Sequence, residues 1–146
     1  MEQDPFPDWF PFFAVGWVAS IIALSIVVRR RAGKPIIPRV ADGALYAEKW
    51  ASGPWASNCL LVSVTDDALC VVPRFPFNLM FLPEVYGLER TIPIREIREV
   101  KRSRGFGLLN NVAVTYGHEP RKLRLKLRNP QAFVEAVGRA RNPTSA

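Results

Sequence analysis

The sequence predicts an N-terminal transmembrane helix followed by a mainly β domain of about seven short antiparallel strands and one C-terminal helix. Three observations predict this class. From Trp9 to Val28 about twenty consecutive residues carry no charge, enough for a helix of roughly 30 Å, the thickness of a bilayer's hydrocarbon core. From Tyr46 onward, short apolar runs are separated by turn residues. After Asn129 the apolar period lengthens, with Phe133, Val137 and Ala140 falling on one helical face.

The span organises the chain. Arg29, Arg30 and Arg31 follow it directly, with Lys34 and Arg39 beyond, whereas Glu2, Asp4 and Asp8 precede it. Basic residues flanking a span are retained on the cytoplasmic side, so residues 1–8 are expected outside the cell membrane and the C-terminal domain in the cytoplasm. This placement accounts for part of the formal charge of +7. A cleavable signal peptide fits less well, because its basic segment would come before the apolar run rather than after it. Trp9, Phe10, Phe12, Phe13 and Trp17 load the outer half of the span with aromatics suited to the headgroup boundary. Gly16 and Ser20 are small enough for helix pairing, but no spaced glycine pair accompanies them.

Residues 29–43 form a basic linker broken by Gly33, Pro35, Pro38 and Gly43, which predicts a semi-extended tether of at most about 40 Å. Residues 44–146 remain for one globular domain. Glu48-Lys49-Trp50 predicts its first strand and Asn58 to Val64 the second, turned back at Thr65-Asp66-Asp67-Ala68 into Leu69 to Val72. Pro73 ends that strand because it cannot donate to a ladder. The same hairpin sets Cys70 opposite Ser63 and leaves Cys59 too far away to reach Cys70, so both are expected as free thiols.

Phe75 to Pro83, FPFNLMFLP, is uncharged and apolar with a proline near each end, and predicts a loop of hydrophobic content. Either Phe77, Leu79 and Phe81 fold back to cap the sheet, or Phe75, Phe77, Met80 and Phe81 contact lipid or a partner. In Leu88 to Arg104, Pro93 interrupts a helical spacing, and two strands joined by a tight turn near Arg95-Glu96 are expected. Asn111 to Tyr116 alternates as a strand, turns at Gly117-His118-Glu119-Pro120, and returns as Arg121 to Arg128. In that last strand Leu123, Leu125 and Leu127 share the core face, while Lys122, Arg124, Lys126 and Arg128 make an outward basic stripe. Asn129 as cap and Pro130 at the first position start the closing helix, which runs to about Arg141.

This order of elements, with Thr91-Ile92-Pro93-Ile94 followed by Ile97 and Val100, resembles the bacterial PH-like and GRAM-like domains over about residues 46–141. The resemblance implies a bent antiparallel sheet or barrel plugged at one end by the helix, with binding surfaces on loops and exposed strands. Phosphoinositide-binding PH domains resemble one another in carrying Lys and Arg at an early hairpin turn. Here that turn is Asp66-Asp67, which does not suit a phosphate headgroup.

Little in the chain suggests catalysis. His118 is the single histidine and sits in a turn, the cysteines lack further ligands at metal spacing, and no metal or other cofactor is expected. Gly105-Phe106-Gly107 lacks the lysine-serine pair and helix of a phosphate loop. Asp66 and Asp67 are adjacent on a turn and point apart, and the Glu96 and Glu99 carboxylates lie among Arg95, Arg98, Lys101 and Arg102 as surface pairs. The expected function is a membrane-anchored scaffold whose domain binds a protein partner or the anionic leaflet. The alternative is nucleic-acid or anionic-polymer binding through the stripe, which lacks interleaved aromatics for base stacking.

Overall fold

The computed structural model describes residues 7–54, 56–80, 87–103 and 110–142. Glu2, Asp4, Phe81, Pro83 and Gly105-Phe106-Gly107 lie outside the described residues. Helix α1 spans Phe10–Arg31 and is long and apolar enough to cross a membrane. Its end is built locally. Gly33 adopts φ +66°, the Lys34 N–H donates to the Arg29 carbonyl at 2.9 Å and the Gly33 N–H to that of Arg30 at 3.2 Å, which satisfies carbonyls that the last turn would leave open.

The rest of the described chain forms two antiparallel sheets, two further α-helices and one 3-10 turn. The first sheet is a meander of β1 (Tyr46–Ala51), β2 (Leu60–Val64), β3 (Ala68–Pro73) and β4 (Arg90–Pro93). The second is a meander of β5 (Ile97–Ser103), β6 (Asn110–Tyr116) and β7 (Arg121–Leu127). A bulge between Glu48 and Ala51 bends β1, and Ser52 then meets Lys126 of β7 through N–H to carbonyl bonds of 3.1 and 2.8 Å. The sheets therefore touch at one corner, and neither closes into a barrel. Helix α3, Pro130–Arg141, covers the core; the Asn129 side chain accepts the Ala132 N–H at 3.1 Å as its cap.

Alternation explains the core. Leu60, Val62 and Val64 of β2 face Val112 and Val114 of β6 and Leu123, Leu125 and Leu127 of β7, with Phe133, Ala136 and Val137 of α3 over them. Leu125 is 1% exposed. Every residue of this cluster lies between Ala51 and Ala140, so α1 contributes nothing to it.

Several expectations need correction. The segment from Phe75 is not wholly a loop, because Phe77–Met80 forms a single helical turn, α2. Phe77 does not cap the sheet; it is exposed, and Leu79 is the side chain that turns in. The two strands expected around Arg95-Glu96 do form, as β4 and β5. A 3-10 turn at Ile94–Glu96 carries the chain from the first sheet to the second, with the Ile94 N–H bound to the Asp67 carbonyl at 2.8 Å. The second strand starts at Leu60 instead of Asn58, which takes φ 52° in the preceding turn. β7 ends at Leu127, so Arg128 follows the strand and its N–H leaves the ladder for Glu48. Cys59 and Cys70 are free, and Cys70 stands opposite Ser63 as the hairpin register requires.

Candidate functional site

Two surfaces concentrate the chemistry, one on the second sheet and one where α1 meets α2 beside the first. The first is the outer face of the second sheet. Register sets Glu99, Thr115 and Lys122 in one row, Lys101, Ala113 and Arg124 in the next, and Ser103, Asn111 and Lys126 in a third. Lys122, Arg124 and Lys126 are exposed while the leucines between them are buried. Among the described residues of the three strands, the carboxylate on this face is Glu99, engaged by Lys101 at 3.0 Å. Among the described residues no acidic group pairs with Lys122, Arg124, Lys126 or Arg128. An open depression of about 750 Å³ runs along the face, walled by Gly53 and Pro54 and floored in part by Asn111, Arg124 and Lys126. Its lining contains no carboxylate.

The second surface is the junction between α1 and the domain. Ser25 and Arg29, four residues apart on one helix face, are 0% and 1% exposed. The Ser25 hydroxyl donates to the Asn78 carbonyl at 3.4 Å. Asn78, wholly buried, donates through Nδ2 to the Ile36 carbonyl at 2.6 Å, while its Oδ1 is enclosed without a partner. Arg29 donates through Nε and Nη2 to the Pro35 carbonyl at 3.2 and 3.1 Å, and through Nη2 to Glu89 at 3.4 Å. Lys34 reaches the other Glu89 oxygen at 2.7 Å. The first half of the linker is thus fastened to both α1 and the domain, so the free tether expected from its composition is not what forms.

The arginine cluster divides by this geometry. Arg30 and Arg31 are exposed and available to an anionic surface, whereas Arg29 serves the junction. Junction residues Ser25, Asn78 and Glu89 escaped the sequence reading. One signal was present: Asn78 is the lone polar side chain between Phe75 and Pro83, and Ser25 stands one helical turn before Arg29. Leu61 and Ser63 point away from the core yet are 4% exposed, and α2 touches the neighbouring β3. The junction therefore reaches the first sheet through α2, while Ala47 and Thr91 on the same outer face stay exposed.

At the remaining positions the chemistry is quiet. Burial pushes the Cys59 thiol upward, which keeps it protonated and a poor nucleophile. His118 is exposed, and its carbonyl accepts Arg98 Nη2 at 3.0 Å. Asp66 and Asp67 rim a depression of about 670 Å³ that also carries Arg95 and Arg141. Among the described residues no three His, Cys, Asp or Glu side chains gather at metal-binding range. No family model matches the chain, and no curated protein or solved structure matches it either.

Proposed function

We propose that the protein is a single-span membrane protein whose β domain, on the cytoplasmic side, is a docking module without catalytic turnover. Its ligand is an acidic protein surface, bound by Lys122, Arg124, Lys126 and Arg128. The orientation is supported by exposed Arg30 and Arg31 at the domain side of α1. The PH-like relationship is supported by two antiparallel meanders followed by a helix over the core.

The observation that carries the reading is the unopposed basic face. Like charges at alternate positions of a strand lie about 7 Å apart and repel unless water, salt or an anion relieves them. Thr115, Ala113 and Asn111 across the ladder offer no counter-charge, and β5 offers only the Glu99 already held by Lys101. A protein partner is favoured over the host leaflet because the stripe lies on the second sheet, whereas α1 meets the domain at α2 beside the first. Nucleic acid is disfavoured because, among the described residues, no aromatic side chain of β5, β6 or β7 shares that face for base stacking. The exposed Trp50 ring is already covered by Arg74, 3.9 Å above it.

The full-length chain in zwitterionic nanodiscs tests this reading against three ligands: a polyglutamate peptide, anionic vesicles and duplex DNA. Salt-sensitive peptide binding, lost on charge reversal of the four basic residues with folding intact, is expected. Preference for vesicles would transfer the stripe to the leaflet, preference for DNA would support the polymer alternative, and indifference to charge reversal would leave the stripe a solvated surface.

A further inference from the structure

The junction fixes the depth of α2. Because the Ser25 hydroxyl meets the Asn78 carbonyl, the turn lies beside Ser25 and not beyond the helix end. Six residues separate Ser25 from Arg31, about 9 Å along the axis. At this level α1 is still apolar, with Leu24 and Val27 54% and 47% exposed. The α2 segment presents the same chemistry outward: Phe75, Phe77 and Met80 are 50%, 36% and 45% exposed, whereas Asn78 and Leu79 turn inward.

We infer that α2 is a wedge in the membrane interface, with Phe75, Phe77 and Met80 set into the acyl boundary of the leaflet on the domain's side. This rests on the proposal that α1 spans the bilayer. The occupant is lipid because the patch adjoins the apolar surface of α1 at a level where a spanning helix is surrounded by acyl chains. The polar groups of the same region are withdrawn from that surface, Asn78 to the Ile36 carbonyl and Arg29 to Pro35 and Glu89. Arg30 and Arg31 are then one to two turns nearer the water, at headgroup level. Interfacial elements insert about 5–10 Å, which matches the offset between Ser25 and Arg31. Two attachments, the span and the wedge, would hold the domain in one orientation on the membrane.

Single spin labels at Phe77→Cys and Met80→Cys, in a Cys59→Ala, Cys70→Ser background of the full chain in bilayers, test the wedge. Val18→Cys serves as the span reference and Asp66→Cys as the aqueous one. Labels at 77 and 80 should collide more with oxygen than with a water-soluble nickel chelate, as at 18, and the label at 66 should do the reverse. Chelate access at 77 and 80 with oxygen access at 18 overturns the wedge and leaves the span standing. Chelate access at 18 overturns the span and the wedge with it. Labels at 77 and 80 shielded from both reagents would mean that protein covers the patch, and would also overturn the wedge. If cysteine replacement unsettles the fold, a diazirine-bearing lipid on the unaltered chain gives the same answer: crosslinks at Phe75, Phe77 or Met80 are expected, and their absence refutes the proposal.

Discussion

Glu48 collects three donors where α3 begins: the Tyr46 hydroxyl, the Arg128 N–H at 2.9 Å and the Asn129 N–H at 3.5 Å. A carboxylate suits this place, since the start of a helix leaves N–H groups unpaired and carries the positive end of the dipole. Tyr46 gains in turn. Burial first, then the hydrogen bond to Glu48 and its negative charge, push the phenol far above its ordinary 10.0. The folded state therefore favours the neutral phenol, while the unfolded chain ionises near the ordinary value. Stability from this source is whole below that pH and falls as pH rises past it, because the unfolded state then holds fewer protons. Tyr46→Phe keeps the ring against Phe133, 5.5 Å away, and removes the titrating group. Urea unfolding of the full chain in micelles should show a smaller loss for this variant than for the parent between about pH 9 and pH 11; equal losses would exclude Tyr46 as the source.

At the scale of elements, Glu89 joins α1 to the β domain. It answers Arg29 and Lys34 across about sixty residues of chain, with Arg29 1% and Glu89 16% exposed. Removing the carboxylate from a buried ion pair is destabilising, because the remaining charges lose part of their compensation. Glu89→Ala should loosen the linker, read as faster tryptic cleavage after the exposed Arg39 in the full chain. Replacing both partners, Arg29→Met with Glu89→Leu, should slow it again; unchanged cleavage in Glu89→Ala would mean the junction does not hold the linker. Such contacts explain what the sequence could and could not disclose. The apolar helix, the Thr65–Ala68 turn, the β6–β7 alternation and the Asn129 cap were legible because each is written in neighbouring residues. The tight turn at Ile94–Glu96 was legible too, but its passage from one sheet to the other was not, since pairing partners are chosen by tertiary packing. The Phe75 to Pro83 run could not be resolved by period because its helical turn is only four residues long and is set by what α1 brings to it. Of the candidate site, the basic stripe was visible as a period of two, and the junction was not, because its members are distant in the chain.

For the whole molecule, the question is whether α1 completes the domain or only docks on it. The core draws on both sheets and α3, with Leu45 and Tyr46 packed against it and no residue of α1 in it, which predicts that the β domain folds without α1. Where the chain is cut should still matter. A fragment of residues 33–146 retains Lys34 for Glu89 and the Ile36 carbonyl for Asn78, whereas residues 40–146 lose both. Losing α1 also opens the junction to water, so the orphaned groups are solvated and the penalty approaches that of an ordinary hydrogen bond, about 0.5–1.5 kcal/mol. Both fragments should unfold in one cooperative transition, coincident by circular dichroism and tryptophan fluorescence, with the shorter one less stable by that amount. Equal stabilities would mean that the linker contributes nothing to the domain once α1 is gone. Fragments that bind a hydrophobic dye and unfold gradually would show instead that the outer face of the first sheet, where Leu61 and Leu79 are buried, needs α1 to close it, and that the protein has one cooperative unit crossing from the apolar helix into the sheets.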